Sequence, residues 1–119
     1  MSDMHLGVVE SHFADLIWAN EPISTQELTR LCEQELGWKR TTTYTVLKRL
    51  CQKGIFQNQD GTVTSLISKA AFFALQSERF VEQTFSGSLP AFLAAFGSRK
   101  KLSDREVEEL QRIIESMRG

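Results

Sequence analysis

Residues 38–54 have the sequence WKRTTTYTVLKRLCQKG, and the rest of the chain is arranged around them. Within this segment Thr43, Val46, Leu47 and Leu50 recur at the i, i+3, i+4 and i+7 spacing of one helical face. Gly54 follows as a typical C-terminal stop. The segment therefore predicts a helix whose apolar stripe lies against a core.

The opposite face of this helix is polar and basic. Residues 39–53 contain five Lys or Arg side chains and no Asp or Glu, although the whole chain has a net charge of −1. A solvated helix usually interleaves both signs, because pairs of opposite charge at i, i+4 stabilise it. A helix that lies against phosphates excludes carboxylates, so this pattern favours a DNA-facing helix over a merely basic surface helix.

The bulk composition narrows the class of protein. A chain of 119 residues forms one small domain with an appendage, or two very small parts. Neither a membrane span nor a signal peptide is evident, so we expect a cytoplasmic protein without membrane insertion. Cys32 and Cys51 lack the spacing of a metal site and are expected to be buried thiols, so we expect no metal and no cofactor.

Two helices are predicted before the basic helix. Residues 7–20 place Val9, Phe13, Leu16 and Ile17 on one stripe, and Pro22 then favours a short extended piece. A capping box of Ser24 and Glu27 begins the second helix. Because the second helix and the basic helix are separated by so few residues, they form a helix-turn-helix pattern.

A hairpin is predicted after Gly54. Two β-rich runs, residues 55–59 and 62–67, flank Asp60-Gly61, a dipeptide that supplies the positive φ angles of a tight turn. Three helices followed by a two-stranded hairpin are the winged-helix arrangement. We therefore predict a mostly α fold with a small β hairpin, and a winged helix-turn-helix DNA-binding domain over residues 1–68.

Residues 69–119 are predicted to form a helical dimerisation region. Helices are expected over residues 68–85 and 88–96, and a second capping box, Ser103 with Glu106, begins a last helix. A Phe-rich section of this size is too small to bury its own apolar side chains. A second copy of the chain is the simplest partner that would cover them. The alternative is that these helices fold back onto the winged helix within one monomer. The predicted dimerisation residues are Phe80, Phe85, Phe92, Phe96, Val107, Leu110, Ile113, Ile114 and Met117.

Several segments in this order resemble the penicillinase-repressor family, the BlaI/MecI/CopY type of bacterial transcriptional repressor. They are residues 13–18 (FADLIW), 37–38 (GW), 42–50 (TTYTVLKRL), 53–54 (KG), 87–89 (GSL) and 102–103 (LS). The resemblance implies a homodimer that binds a palindromic operator through its winged helices and represses by occupying a promoter. Two linked half-sites bind far better than one, which explains the need for a dimer.

The resemblance also implies residue roles. The resemblance implies that base edges are contacted by Arg40, Thr41, Thr42, Thr45 and Lys48. It implies that phosphates are contacted mainly by Lys39, Lys48, Arg49 and Lys53. The predicted DNA-binding residues, with the flanking Tyr44, are thus Lys39, Arg40, Thr41, Thr42, Tyr44, Thr45, Lys48, Arg49 and Lys53.

In members that control β-lactam resistance, a membrane sensor protease triggers cleavage in the dimerisation region. The family's Asn-Phe cleavage pair aligns here with Ala95-Phe96, so this chain departs from the family at the first residue of that bond. Two further departures concern the wing, which lacks Lys and Arg between residues 57 and 68, and the CxC motifs of copper-responsive members, which are absent. This wing is expected to contribute little to DNA affinity.

Two other function classes compete with a DNA-binding repressor. A winged helix used as a protein-protein interaction module, without sequence-specific DNA binding, is compatible with the uncharged wing and the net charge of −1. An enzyme is not supported, because the two His residues both precede residue 13 and no Gly-rich phosphate loop or other catalytic set is evident. The sequence therefore predicts a transcriptional repressor with no catalytic residues.

Overall fold

The computed structural model describes residues 5–119 and contains six helices and three strands. The helices are α1 (Val8–Asn20), α2 (Thr25–Leu36), α3 (Arg40–Gln52), α4 (Lys69–Phe85), α5 (Leu89–Gly97) and α6 (Asp104–Ser116). The strands are β1 (Ile23–Ser24), β2 (Phe56–Gln59) and β3 (Thr62–Ser65). This order confirms the predicted winged-helix fold.

The three strands form an antiparallel sheet in the order β1-β3-β2. Val63 of β3 pairs with Ile23 on one side and with Asn58 on the other, so the central strand of the sheet is the second strand of the hairpin. Asp60 and Gly61 have φ angles of 52° and 87°, the left-handed conformations that a two-residue hairpin turn requires.

The core of the winged helix is formed by one face of each of α1, α2 and α3, packed against the sheet. All four residues of the predicted α3 stripe are buried, as the helical period requires. The buried core residues are Phe13, Ala14, Ile17, Ile23, Leu28, Cys32, Thr43, Val46, Leu47, Leu50, Ile55, Phe56, Val63 and Phe72.

Two local predictions need correction. Val9 is 58% exposed, because the first turn of α1 extends past the core, and Ala14 takes a buried position instead. At the start of α2, the Ser24 hydroxyl accepts from the Glu27 amide as predicted. The Glu27 carboxylate does not reach back to complete the box, because it pairs with Arg30 one turn later.

The described residues divide into two compact units, one ending at Ser77 and one from Glu78 to Gly119. The beginning of α4 belongs to the first unit, where Phe72 is buried and the Trp18 ring lies 5.6 Å from that of Phe72. The Trp18 indole nitrogen also donates to the Ile67 carbonyl at 3.1 Å. These contacts tie the first turns of α4 to the winged helix.

The second unit consists of the end of α4 together with α5 and α6. The rings of Phe80, Phe85 and Phe92 meet edge to face at centroid distances of 5.6–5.9 Å. Ser103 and Glu106 form the predicted capping box of α6. Among the helices of residues 5–119, none has both the length and the apolar character that crossing a membrane requires.

Candidate DNA-binding surface

The exposed face of α3 is fixed by the buried stripe on its other side. Because Thr43, Val46, Leu47 and Leu50 face the core, the intervening side chains must project outward. Lys39 precedes the helix as its N-cap residue and is also exposed. The predicted residues that the structure exposes are Lys39, Arg40, Thr41, Thr42, Thr45, Lys48 and Arg49, with Tyr44 and Lys53 partly buried.

The Thr side chains of this face combine hydrogen-bonding oxygens with methyl groups. The Thr45 hydroxyl donates to the Thr41 carbonyl at 2.8 Å, so its proton is used within the helix. Its oxygen can still accept a hydrogen bond, and its methyl group stays on the surface. This combination suits contacts with base edges and thymine methyl groups.

At the N-terminal end of α3, side chains of two helices line a polar cleft of about 190 Å³. Gln26 and Thr29 of α2 form one wall, and Arg40 and Tyr44 of α3 form the other. The Arg40 guanidinium lies 5.5 Å from the centre of the Tyr44 ring, within cation-π range. A hydrogen bond with Thr25, followed by the nearby Arg40, lowers the pKa of Tyr44 below its ordinary value.

The basic residues at the C-terminal end of α3 are instead held by α1. The Glu10 carboxylate lies 3.4 Å from Arg49 and 3.7 Å from Lys53, and Lys53 also donates to the His5 carbonyl at 2.8 Å. Burial alone would raise the pKa of Glu10, but the Gly7 amide and the two cations outweigh burial and lower it. Sequence reasoning missed this cluster, since nothing local links residue 10 to residues 49 and 53.

The remaining cations of the face carry free charge. The ion pairs within residues 5–119 leave Lys39, Arg40 and Lys48 without a carboxylate partner. These three side chains lie along the first two-thirds of the helix and beside the Thr residues. The positive charge is therefore concentrated at the N-terminal and central parts of α3.

The wing does not project freely from the first unit. The Thr25 amide at the start of α2 donates to the Gly61 carbonyl at 2.9 Å, and the Asn58 side chain accepts from the Gly61 amide at 3.0 Å. Neither β2 nor β3 contains a Lys or Arg. The hairpin turn is thus tied to α2, and its strands offer amide and hydroxyl groups rather than charge.

A second surface lies in the unit from Glu78 to Gly119. No residue of α5 or α6 is fully buried, and several large apolar side chains remain open, including Ile114 at 51% and Met117 at 65% exposure. A groove of about 540 Å³ runs between these helices. The predicted dimerisation residues are exposed at Phe80, Phe96, Val107, Ile113, Ile114 and Met117 and half-buried at Phe85, Phe92 and Leu110.

The Ala95–Phe96 bond lies inside α5, with both side chains exposed. Within residues 5–119, no group of three or more His, Cys, Asp or Glu side chains is placed to bind a metal ion. The sequence analysis did not identify three residues around the DNA-binding surface of α3, namely Gln26, Thr29 and Glu10. The only signal for the first two is their i, i+3 spacing on α2.

Comparison with known proteins links the chain to one family. Residues 6–116 match the family described as penicillinase repressor. The chain is 28% identical over 119 residues to the penicillinase repressor of Bacillus licheniformis, covering 97% of this chain and 89% of that protein. It is 25% identical over 109 residues to the methicillin resistance regulatory protein MecI of Staphylococcus aureus strain Mu50, covering 88% and 89%. The corresponding protein of Mammaliicoccus sciuri is 24% identical over 104 residues, covering 84% and 85%.

Proposed function

The chain belongs to the penicillinase repressor family of DNA-binding transcriptional repressors, and on that premise we propose that it binds a palindromic operator as a homodimer. The observation that carries this proposal is the acid-free face of α3, where Lys39, Arg40 and Lys48 have no carboxylate partner within residues 5–119. Such a face matches the negative potential of the DNA backbone.

In this proposal α3 lies in the major groove. Thr41, Thr42 and Thr45 contact base edges, and Lys39 and Lys48 bind phosphates on either side. Arg49 and Lys53 contribute less, because Glu10 already neutralises part of their charge. The wing contributes little charge, and α2 and α3 carry most of the recognition.

The homodimer is supported by the exposed apolar face of residues 78–119. A face with Phe96 at 47%, Ile114 at 51% and Met117 at 65% exposure is costly to leave in water. A second copy covers it by pairing α5 and α6 with their counterparts. Residues 1–68 then act as the DNA-binding domain and residues 69–119 as the dimerisation region, which begins with α4.

Loss of the dimer lowers operator affinity, since each half-site alone binds weakly. Hydrolysis of the Ala95–Phe96 bond by a membrane sensor protease would separate α6 from the DNA-binding domain. The protein would then lose the apolar seam of α6, which consists of Val107, Leu110, Ile114 and Met117. The bond lies within α5, so hydrolysis requires local opening of that helix. Action on operator DNA places the protein in the cytoplasm.

The test is a footprint on the DNA upstream of the protein's own coding sequence, at low salt. We expect a protected palindrome, and Lys48→Gln should weaken protection whereas Arg112→Gln should not. Both substitutions remove one cation, but Arg112 lies on α6 and is not one of the side chains that line the groove. No site-specific protection by the wild-type protein would overturn the proposal.

A further inference from the structure

The polar cleft between α2 and α3 has a composition that suits an anion. Of its four lining side chains, one is a cation and none is a carboxylate: Gln26, Thr29, Arg40 and Tyr44. The Arg40 guanidinium, the Tyr44 hydroxyl and the Gln26 amide can all donate hydrogen bonds. The Thr29 hydroxyl donates to the Thr25 carbonyl at 2.7 Å, so its role there is to shape the wall.

Arg40 is held toward this cleft and away from the centre of the exposed face. It is the first residue of α3, and side chains of a helix lean toward its N-terminus. Its guanidinium lies 5.5 Å from the ring centre of Tyr44, the residue one turn on, and Tyr44 also lines the cleft. Thr41, Thr45 and Lys48 occupy the neighbouring strip of the helix, which faces outward.

The surroundings of the cleft favour negative charge. The pKa of Tyr44 is lowered, first by its hydrogen bond with Thr25 and then by Arg40, as expected where the phenolate form is stabilised. The Glu27 carboxylate on α2 pairs with Arg30, so its charge is partly neutralised. The guanidinium of Arg40 has no carboxylate partner within residues 5–119.

We propose that this cleft seats one phosphate of the DNA backbone in each half-site, and that Arg40 is a phosphate ligand and not a reader of base edges. This assignment rests on the proposed function and deepens it. It reassigns Arg40 from the base-reading set that the family resemblance implies. It also adds Gln26 of α2 as a DNA-contacting residue, so that α2 and α3 clamp the same strand.

The test compares Arg40→Gln with Arg112→Gln, which removes an equal charge from an exposed side chain of α6, far along the chain from the cleft and in none of the ion pairs within residues 5–119. Binding to the operator and to an unrelated duplex is measured over a series of salt concentrations. Arg40→Gln should weaken binding to both duplexes by a similar factor and leave the base preferences of the protein unchanged. The salt slope should fall by about 0.9 per protomer, or about 1.8 per dimer. Arg112→Gln should change neither quantity by as much.

Two outcomes would overturn the assignment. If Arg40→Gln relaxes the preference at one base position of each half-site and leaves binding to unrelated DNA unchanged, Arg40 reads a base. If it changes neither affinity nor slope, while circular dichroism shows a folded protein, the cleft lies outside the interface. A wild-type protein that does not distinguish the operator from unrelated DNA overturns the proposed function itself, which separates the two failures.

Replacement of single backbone phosphates by neutral methylphosphonates gives an independent measurement. At one position in each half-site, the neutral linkage should lower the DNA affinity of the wild-type protein and of Gln26→Ala. It should not lower the affinity of Arg40→Gln any further. Additive losses at every position would mean that Arg40 contacts no phosphate, and would also overturn the assignment.

Discussion

Ile114→Asp is expected to dissociate the proposed dimer, because Ile114 lies in the middle of the open apolar seam of α6. Ile114 is 51% exposed in the single chain, so about half of its surface is free to be covered by a partner. Full burial of an Ile side chain is worth about 1.5–3 kcal/mol, so covering the exposed half contributes roughly 1 kcal/mol per protomer. The dimer contains two copies and loses roughly 2 kcal/mol of apolar burial.

The introduced carboxylate adds a second cost. Each Asp would lose hydration at the interface, and Arg118, which lines a pocket together with Ile114, already pairs with Glu115. The cost is at least about 1 kcal/mol per copy. The sum of about 4 kcal/mol per dimer corresponds to about a 1,000-fold weaker dimerisation constant. Ile114→Ala removes apolar area only and should cost about tenfold.

The assay is sedimentation equilibrium over a range of protein concentrations, with operator affinity measured on the same samples. Arg112→Gln is the matched control, since it also changes the charge by one unit on an exposed position of α6. Circular dichroism checks that the helices persist. If Ile114→Asp dimerises as tightly as the wild type, the seam is not the dimer interface.

Three further predictions concern the first unit. Thr43→Val should raise the stability by about 1 kcal/mol in thermal unfolding, because the buried Thr43 hydroxyl makes no well-formed hydrogen bond within residues 5–119 and has only the weakly polar Cys32 thiol beside it; a loss would mean that the hydroxyl is satisfied. Glu10→Gln should cost about 0.5 kcal/mol at neutral pH. Since the folded protein lowers the pKa of the Glu10 carboxyl below its ordinary value, that difference should be present above the ordinary pKa of a Glu side chain and should be lost as the pH falls through the lowered folded-state pKa. A series of denaturant titrations measures it, and a pH-independent difference would contradict it. Trp18→Phe should cost about 1 kcal/mol in urea unfolding by removing the donor to the Ile67 carbonyl, and no change would mean that this bond is not needed.

The winged-helix unit was largely predictable because its signals are local. The i, i+3, i+4, i+7 spacing in residues 43–50 predicts a buried helical face, and Asp60-Gly61 predicts a turn with positive φ angles. The prediction that Val9 lies in the core was wrong. Periodicity identifies which face of a helix points toward the core, but it does not say how far along the helix that face stays buried.

The features that the sequence did not predict depend on tertiary placement. Glu10 lies near Arg49 and Lys53 only after α1 packs beside the end of α3. Phe72 likewise enters the first core, although composition groups it with the Phe residues of the C-terminal section. The cleft at Arg40 combines residues from two helices, and its walls meet only in the folded helix-turn-helix.

The most direct test of the dimeric operator reader is selection of bound sequences from random duplex DNA by the purified wild-type protein. The expected product is a palindrome whose half-sites lie about one helical turn apart, roughly 10 base pairs centre to centre or a multiple of this. Enrichment of a single, non-repeated half-site would contradict the dimer. No enrichment by a folded, dimeric protein would contradict sequence-specific DNA binding and favour a protein-interaction module.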